Sequence, residues 1–295
     1  MNALTYFAAQ SPITDPGDNS HLFADLPNTV PEMCAVLQGI CLDHEVIYKY
    51  PIANERLLET NLRYVNKILA QIIALDEQPL TDTRAPQNRF LGSSSHFVNL
   101  LVSMARYREI PARKRVGFAT YFTEGNPGYH HTHDIIEYWD EDAGCWRQAD
   151  PILDELAMEA NGIAFDPCDL PKDAFLPAGK VWQDCRTGKS NPELYRNEDT
   201  AGLEVIKNNL ILDLASMNKH ELLNWDRFGW MDRKMEEFCD EEWEILDRLA
   251  GLLQDGDEAL GTLHTLYTQE GGLQVPRVIA CNSPVISPHK VDLTK

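Results

Sequence analysis

Long apolar runs and a targeting segment are both missing from this sequence. No stretch reaches the roughly 18 consecutive apolar residues that a membrane-spanning helix requires. The first twenty residues lack a positively charged start followed by an apolar stretch, so they do not resemble a secretory signal. These absences argue against a transmembrane protein, and we expect a cytoplasmic one.

Positive charge is also scarce. The 295 residues include 26 Lys and Arg against 46 Asp and Glu, which gives a formal net charge of −20. A surface with this charge repels phosphate backbones and anionic lipid headgroups. We therefore expect neither nucleic acid nor a membrane surface as a partner.

Closely spaced cysteine pairs are a third absence. Seven cysteines are spread along the chain, and no two of them form a C-x-x-C pair. An odd number of widely spaced cysteines suits neither a disulfide framework nor a zinc ribbon. The pattern predicts reduced thiols.

Hydrophobic residues make up 43% of the sequence, which is enough for a sizeable core. Thr29 fits the N-cap of a first helix, and apolar side chains recur at helical spacing between residues 54 and 76. A similar stripe from Phe97 to Ala105 predicts a helix with Ser93–Ser95 at its N-terminus. Further helices are predicted at 151–160, 171–186, 202–219, 234–253 and 256–267, whereas the last 25 residues give no usable pattern.

Between these helices the pattern changes to that of strands. Apolar residues alternate over 116–122, and further strands are predicted at 131–139 and 144–150. With residues 140–143 as the turn, Trp139 would pair with Gly144. The same register would place His133 opposite Asp150, with about 5 Å between their Cβ atoms.

Ser94, His133 and Asp150 therefore form a candidate catalytic group. A carboxylate beside an imidazole holds its tautomer and orientation, so Asp150 could prepare His133 as a base. A nucleophile at the start of a helix benefits from the helix dipole and from free N–H groups, which stabilise an anion there. Ser94 occupies such a position.

Three segments in this part of the chain resemble the transglutaminase-like superfamily. Residues 92–113, ending in Glu-Ile-Pro-Ala-Arg, are similar to the helix that carries the nucleophile in that family and to the turn that follows it. The stretch 133–139 resembles the family's histidine strand, and 144–151 contains its W-x-x-x-D-P ending. Residues 223–226 are more loosely similar to bacterial stand-alone proteins of this type, so the resemblance extends over much of the chain.

The resemblance implies an α+β, papain-like fold in which the nucleophile helix packs on an antiparallel sheet, with additional N- and C-terminal helices. On this interpretation the chain divides into a helical lead-in at 1–80, a transglutaminase-like catalytic core at 81–165 and a mostly helical extension at 166–295. These boundaries are predictions from motif positions and element patterns.

The family's chemistry is thiol acyl transfer by a Cys-His-Asp triad, at positions that correspond to Ser94, His133 and Asp150. The nucleophile attacks an amide or thioester carbonyl, His133 takes and returns the proton, and Asp150 orients His133. The backbone N–H of residue 94 would contribute to the oxyanion hole. The expected substrates are a peptide, an amine or an acyl ester or thioester, and no cofactor is expected.

Serine at position 94 departs from the family pattern. A thiol, with an ordinary pKa of about 8.5, is readily held as a thiolate, whereas a hydroxyl needs the base to remove its proton during attack. Serine in a site shaped for cysteine is therefore expected to react far more slowly. The chain is either an inactivated Cys→Ser form or a natural member that has lost or altered the chemistry, and Cys145 is the nearest alternative thiol.

Two alternatives from other classes stay open. A pseudoenzyme would keep the fold and its cleft to bind a peptide or acyl partner without turnover. A cupin-like metal protein would use His131, His133 and Glu137, which with Gly125 and Gly144 match the spacing of a cupin metal motif. A straight strand would separate His133 from Glu137 by ~13 Å, too far to share one ion.

Overall fold

The computed structural model describes residues 2–122, 128–197 and 200–294. Helices and mainly antiparallel strands are mixed along the chain, so the predicted α+β class is confirmed. The chain divides into two compact units. The first unit comprises Leu4–Lys114 and Ile135–Leu170, and the second comprises the described residues of 1–3, 115–134 and 171–294. The division into three parts stays a prediction.

The regular elements follow one another in this order along the described chain. The α-helices are α1 (Ala3–Ala8), α2 (Val30–Ile40), α3 (Val65–Leu75), α4 (Ser94–Tyr107), α5 (Glu155–Asn161), α6 (Ala178–Arg186), α7 (Leu203–Met217), α8 (Asp240–Asp255) and α9 (Leu260–Gln269). The strands are β1 (Cys41–Asp43), β2 (Phe90–Gly92), β3 (Ala112–Ala119), β4 (His130–Asp140), β5 (Cys145–Ala149), β6 (Phe175–Pro177), β7 (Tyr195–Arg196), β8 (Asp226–Arg227), β9 (Val278–Cys281) and β10 (His289–Asp292).

Helix α4 lies at the centre of the first unit. Its predicted apolar stripe is buried, but so is every residue from Ser94 to Arg106, including the polar ones. Both α2 and α3 pack against it. Burial on all sides makes α4 a core helix rather than the one-sided surface helix that the stripe alone predicts.

A single helix across 54–76 is not what forms. Asn54–Asn61 is a 3-10 helix, extended backbone follows at residues 62–64, and α3 begins only at Val65. The Glu59 carboxylate accepts a hydrogen bond from the Leu91 N–H at 2.9 Å, which ties the 3-10 segment to β2. Leu58, which the stripe predicted to be buried, is 57% exposed.

Strands β1 and β2 are parallel, with Cys41 opposite Phe90 and Asp43 opposite Gly92. Both strands are three residues long and were not anticipated from the sequence. Because the strands are parallel, their carboxyl ends lie at the same edge. The residues that follow Asp43 and Gly92 therefore begin next to each other.

The hairpin of β4 and β5 forms as predicted, but its register differs by two residues. Asp140 pairs with Cys145 and Ile136 with Ala149, so Glu141–Gly144 is the turn. Gly144 has φ +63°, a left-handed conformation that favours glycine, and its N–H donates to the Asp140 carbonyl at 2.8 Å. The predicted pairing of Trp139 with Gly144 and of His133 with Asp150 is therefore wrong. A shift by two residues nevertheless preserves which residues of the two strands share a face.

The larger sheet has the strand order β5-β4-β3-β6, and β7 pairs with β4 in parallel. All eight residues of β3 are buried, so the alternation predicted from 116–122 is not seen in their exposure. In the second unit, α6 packs against α7 and α8. Strands β8, β9 and β10 form a separate antiparallel sheet that includes the C-terminal residues without a sequence pattern.

The predicted helices after residue 150 are confirmed, although their starts differ. The segment predicted at 171–186 opens with β6 before α6 begins. Helix α8 begins at Asp240 rather than near 234, because the Glu242 carboxylate accepts from the Cys239 N–H at 3.0 Å and completes a capping box there. No helix within the described residues is long and apolar enough to cross a membrane.

Candidate functional site

Ser94 is the first residue of α4, as predicted, and it is 6% exposed. Ser93 is the N-cap, with extended backbone at φ −105° and ψ 179°. The short strand β2 ends at Gly92, so the chain passes directly from a strand through the cap into the helix. This transition puts residue 94 at the positive end of the α4 dipole, where a developing anion is stabilised.

His96 fixes the conformation of this helix start. Its Nε2 lies 3.0 Å from the Leu62 carbonyl oxygen, and since a carbonyl only accepts, Nε2 carries the proton. In the neutral ring Nδ1 is then an acceptor, which receives the Ser93 N–H at 3.0 Å. Burial, together with the nearby positive charges of His44, Lys114 and Arg63, lowers the pKa of His96 to about 3. His96 is a neutral cap rather than a base.

His44 is a histidine near this helix start that the sequence analysis did not single out. It is 8% exposed and follows β1, and its Nδ1 lies 3.2 Å from both the Gly92 carbonyl oxygen and the Asp43 Oδ1. Both neighbours are acceptors, so Nδ1 carries a proton. Although burial opposes the charged form, the hydrogen bond and charge of Asp43 raise the pKa of His44. Asp43 therefore orients an imidazole that lies against the Gly92 carbonyl, and Gly92 is two residues before Ser94.

The signal for His44 was present in the sequence but too short to interpret. Ile40-Cys41-Leu42 is a brief apolar run, and Asp43 is a good N-cap for the 3-10 helix that follows. Only the parallel pairing of β1 with β2 brings His44 to the Gly92 carbonyl. That pairing joins residues far apart in the sequence.

Asp150 directly follows β5 in the first unit and is 1% exposed. Its N–H donates to the Pro167 carbonyl at 2.8 Å, and its Oδ1 accepts from the Ile152 N–H at 3.3 Å. The Asp150 side chain therefore stabilises the turn after β5, and its predicted role in orienting His133 would be a second one.

His133 lies in the part of β4 that belongs to the second unit, and it is 5% exposed. Its ring packs edge-to-face with the rings of Phe122 and Tyr121, at centroid distances of 5.0 Å and 6.1 Å. Aromatic packing on this scale restricts the orientation of an imidazole. No single unit contains all of Ser94, His133 and Asp150.

The residues of the cupin-like pattern have partners other than a metal ion. Glu137 accepts from Arg113 Nε at 2.7 Å and from Gln148 Nε2 at 3.0 Å, so its charge is already neutralised. Within the described residues no group of three or more His, Cys, Asp or Glu side chains is arranged to hold a metal ion, and Gly125 lies outside those residues. Burial, and then the positive charge of Arg196, lowers the pKa of His131.

Two thiols could in principle replace a nucleophile at residue 94. Cys145, the alternative from the sequence, is exposed at the start of β5. Cys41 lies beside Phe90 in the parallel pair β1 and β2, closer to the α4 start than its sequence position suggests. Burial raises the pKa of the Cys41 thiol far above its ordinary value, which leaves it unreactive.

Comparison with family models, with curated proteins and with solved structures gives no match for this chain. The roles of Ser94, His133 and Asp150 therefore stay predictions that rest on motif and position.

Proposed function

We propose that this chain is a transglutaminase-like protein with a papain-like core and an acyl-transfer site in which residue 94 holds the nucleophile position. The observation that carries the proposal is the placement of Ser94 as the first residue of the 14-residue core helix α4. The order of helix, strand and hairpin that follows along the chain supports it. His133 would act as the base and Asp150 would orient it.

The chemistry follows from the position of residue 94. A cysteine there would attack an amide, ester or thioester carbonyl, and the N–H groups at the helix start would stabilise the oxyanion. The acyl group would pass to an amine or to water, in the cytoplasm, with no cofactor. Serine lacks a readily formed anion, so the chain as it stands is expected to be slow or inactive in this reaction.

His44 is a second candidate for proton transfer at residue 94, because it lies in the same unit as Ser94 and is oriented by Asp43. The motif favours His133, whereas local geometry favours His44. The two assignments predict different variants to lose activity.

The experiment is intact-mass analysis after exposure to acyl thioester and p-nitrophenyl ester probes. We expect Ser94→Cys to gain one acyl adduct more than the unmodified chain, in which the exposed Cys145 and Cys239 thiols set the background. Adding His133→Ala should slow labelling by roughly 100-fold or more, since a general base contributes at least that much. His44→Ala, in the same Ser94→Cys background, tests the other histidine.

Ser95→Cys is the matched control, because it places a thiol one residue further along the same buried helix start. Equal labelling of both cysteine variants would mean that position 94 has no special reactivity, and the proposal would fail. If a folded Ser94→Cys variant takes no label, the site does not catalyse acyl transfer. The pseudoenzyme interpretation would then be favoured.

A further inference from the structure

A pocket of about 260 Å³ opens in the first unit, between the 3-10 helix Gly17–Phe23 and the turn that follows α3. Its first wall comprises His21, Leu22 and Asp25, and its second wall comprises Ile73 and residues 77–81. Leu22 and Ile73 pack against the hydrophobic core of this unit, and Leu80 belongs to that core. Apolar side chains with a few polar groups are typical of a site for a small molecule.

Each wall of the pocket is fixed by an arginine that binds backbone carbonyls. Arg84 is 3% exposed, and its Nη2 donates to the Asp76 carbonyl at 3.1 Å and to the Gln78 carbonyl at 2.6 Å. Arg108 Nη2 donates to the Ala24 carbonyl of the first wall at 3.0 Å. These bonds hold the pocket in shape before a ligand enters, which reduces the conformational entropy lost on binding.

One carboxylate lies on each wall of the pocket. Asp25 and Glu77 are exposed, and among the residues that the structure describes neither side chain forms a hydrogen bond or an ion pair. None of the described lining residues is a lysine or an arginine. The pocket therefore presents two negative charges to an entering ligand.

His21 adds a third hydrogen-bond acceptor to the pocket. Its Nδ1 lies 2.9 Å from the Asp18 carbonyl oxygen, so Nδ1 carries the proton and Nε2 of the neutral ring is an acceptor. An alkylammonium group has three donors and no acceptor, which complements this set. No group of three or more His, Cys, Asp or Glu side chains in the described parts of the chain is arranged for a metal ion. The pocket therefore suits an organic cation.

We propose that this pocket binds a small aliphatic diammonium ion, with one ammonium group at Asp25, the other at Glu77, and the methylene chain against Leu22 and Ile73. The proposal goes beyond acyl transfer, and binding can be measured without any reaction at residue 94. The net charge of −20 favours such a ligand, because a negative surface raises the local concentration of cations.

Two ammonium groups on one apolar chain explain the mixture of lining residues. A single ion pair at an exposed carboxylate contributes little to binding, so a ligand needs a contact on each wall. Burial of the methylene groups against the apolar lining adds to those two contacts. A magnesium ion retains several of its waters and gains nothing from apolar side chains, so it should bind this pocket poorly.

The test is isothermal titration calorimetry of the full-length chain with 1,4-diaminobutane at low ionic strength. We expect one diamine to bind per chain. Butylamine, which has one ammonium group, should bind about fivefold more weakly, and 1,4-butanediol, which has no charge, should not bind detectably. Magnesium chloride should displace the diamine no better than sodium chloride at the same ionic strength. Equal affinity for the diamine and the diol would overturn the proposal.

Charge-removing variants locate the binding site. Asp25→Asn and Glu77→Gln should each weaken diamine binding about fivefold, and the double variant should weaken it by roughly 20-fold. The matched control is the double variant Glu236→Gln/Glu258→Gln, which removes the same charge from exposed positions outside the pocket and should bind as the unmodified chain does. Equal weakening in the control would mean that only the net charge attracts the diamine, and the proposal would fail. If a pocket variant does not fold, the comparison of diamine with diol still decides the question.

Discussion

At the scale of single residues, the start of α4 depends on the uncharged imidazole of His96. Its Nε2–H donates to Leu62 and its Nδ1 accepts from Ser93, so both ring nitrogens are used in the neutral form. A second proton would have to enter at Nδ1 and would remove that acceptor. Protonation of His96 therefore opposes the cap of the helix that carries Ser94.

This arrangement predicts a loss of stability in mild acid. The pKa of His96 is about 3 in the folded chain, while an unfolded histidine titrates near 6.5. Between these pH values the unfolded state binds a proton that the folded state does not, so the free energy of unfolding falls as the pH falls. The slope from this residue approaches about 1.4 kcal/mol per pH unit.

Urea unfolding of the wild type and of His96→Asn between pH 6.5 and 5 measures the effect. Asparagine can still accept from Ser93, and the variant should lose this part of the pH dependence. The control is His289→Asn, because His289 is exposed on β10. An unchanged pH slope in His96→Asn would contradict the account of the neutral cap.

At the scale of elements, one buried aspartate joins α7 to β3 in the second unit. Asp213 Oδ1 accepts from Arg115 Nε at 3.0 Å, and Oδ2 accepts from Nη2 at 2.8 Å. Oδ1 also accepts the Val116 N–H at 2.9 Å. Asp213 is fully buried and Arg115 is 4% exposed, so neither group can use water as a substitute partner.

Asp213→Ala should therefore lower the free energy of unfolding by about 3–5 kcal/mol, since it leaves a buried guanidinium without its carboxylate. Chemical denaturation followed by circular dichroism measures the change. Asp292→Ala is the matched control, because Asp292 also receives two hydrogen bonds from one arginine, Arg277, but at the surface. That variant should change stability little. Equal effects of the two variants would contradict the role given to burial.

The elements also show where sequence patterns succeed and fail. The stripe from Phe97 to Ala105 predicts α4 correctly, because helical periodicity is a local property. The prediction of one helix from the apolar stripe at 54–76 is wrong, because the carboxylate of Glu59 accepts a hydrogen bond from the distant Leu91 N–H. The predicted register of the hairpin is wrong, because Gly144 occupies a left-handed position in the turn and is not the first residue of β5.

At the scale of the whole molecule, the net charge of −20 opposes folding through repulsion between like charges. Salt screens this repulsion, since the Debye length shortens from about 30 Å at 0.01 M to about 8 Å at 0.15 M ionic strength. We therefore expect the free energy of unfolding to rise as salt is added over this range.

Urea titrations in sodium chloride and potassium chloride at matched ionic strength would measure this dependence. Screening depends on ionic strength, so the two salts should give the same increase. A stability that falls with added salt would show that favourable ion pairs, such as the one between Arg147 and Asp140, outweigh the net repulsion.

The sequence by itself determined the acidic charge, the helix that opens at Ser94 and the hairpin that carries His133. Each of these depends on composition or on a pattern within one short segment. Tertiary structure alone decided the placement of His44 at the Gly92 carbonyl and the burial of α4 on all sides. These contacts join segments distant along the chain, and their geometry depends on packing that no local periodicity records.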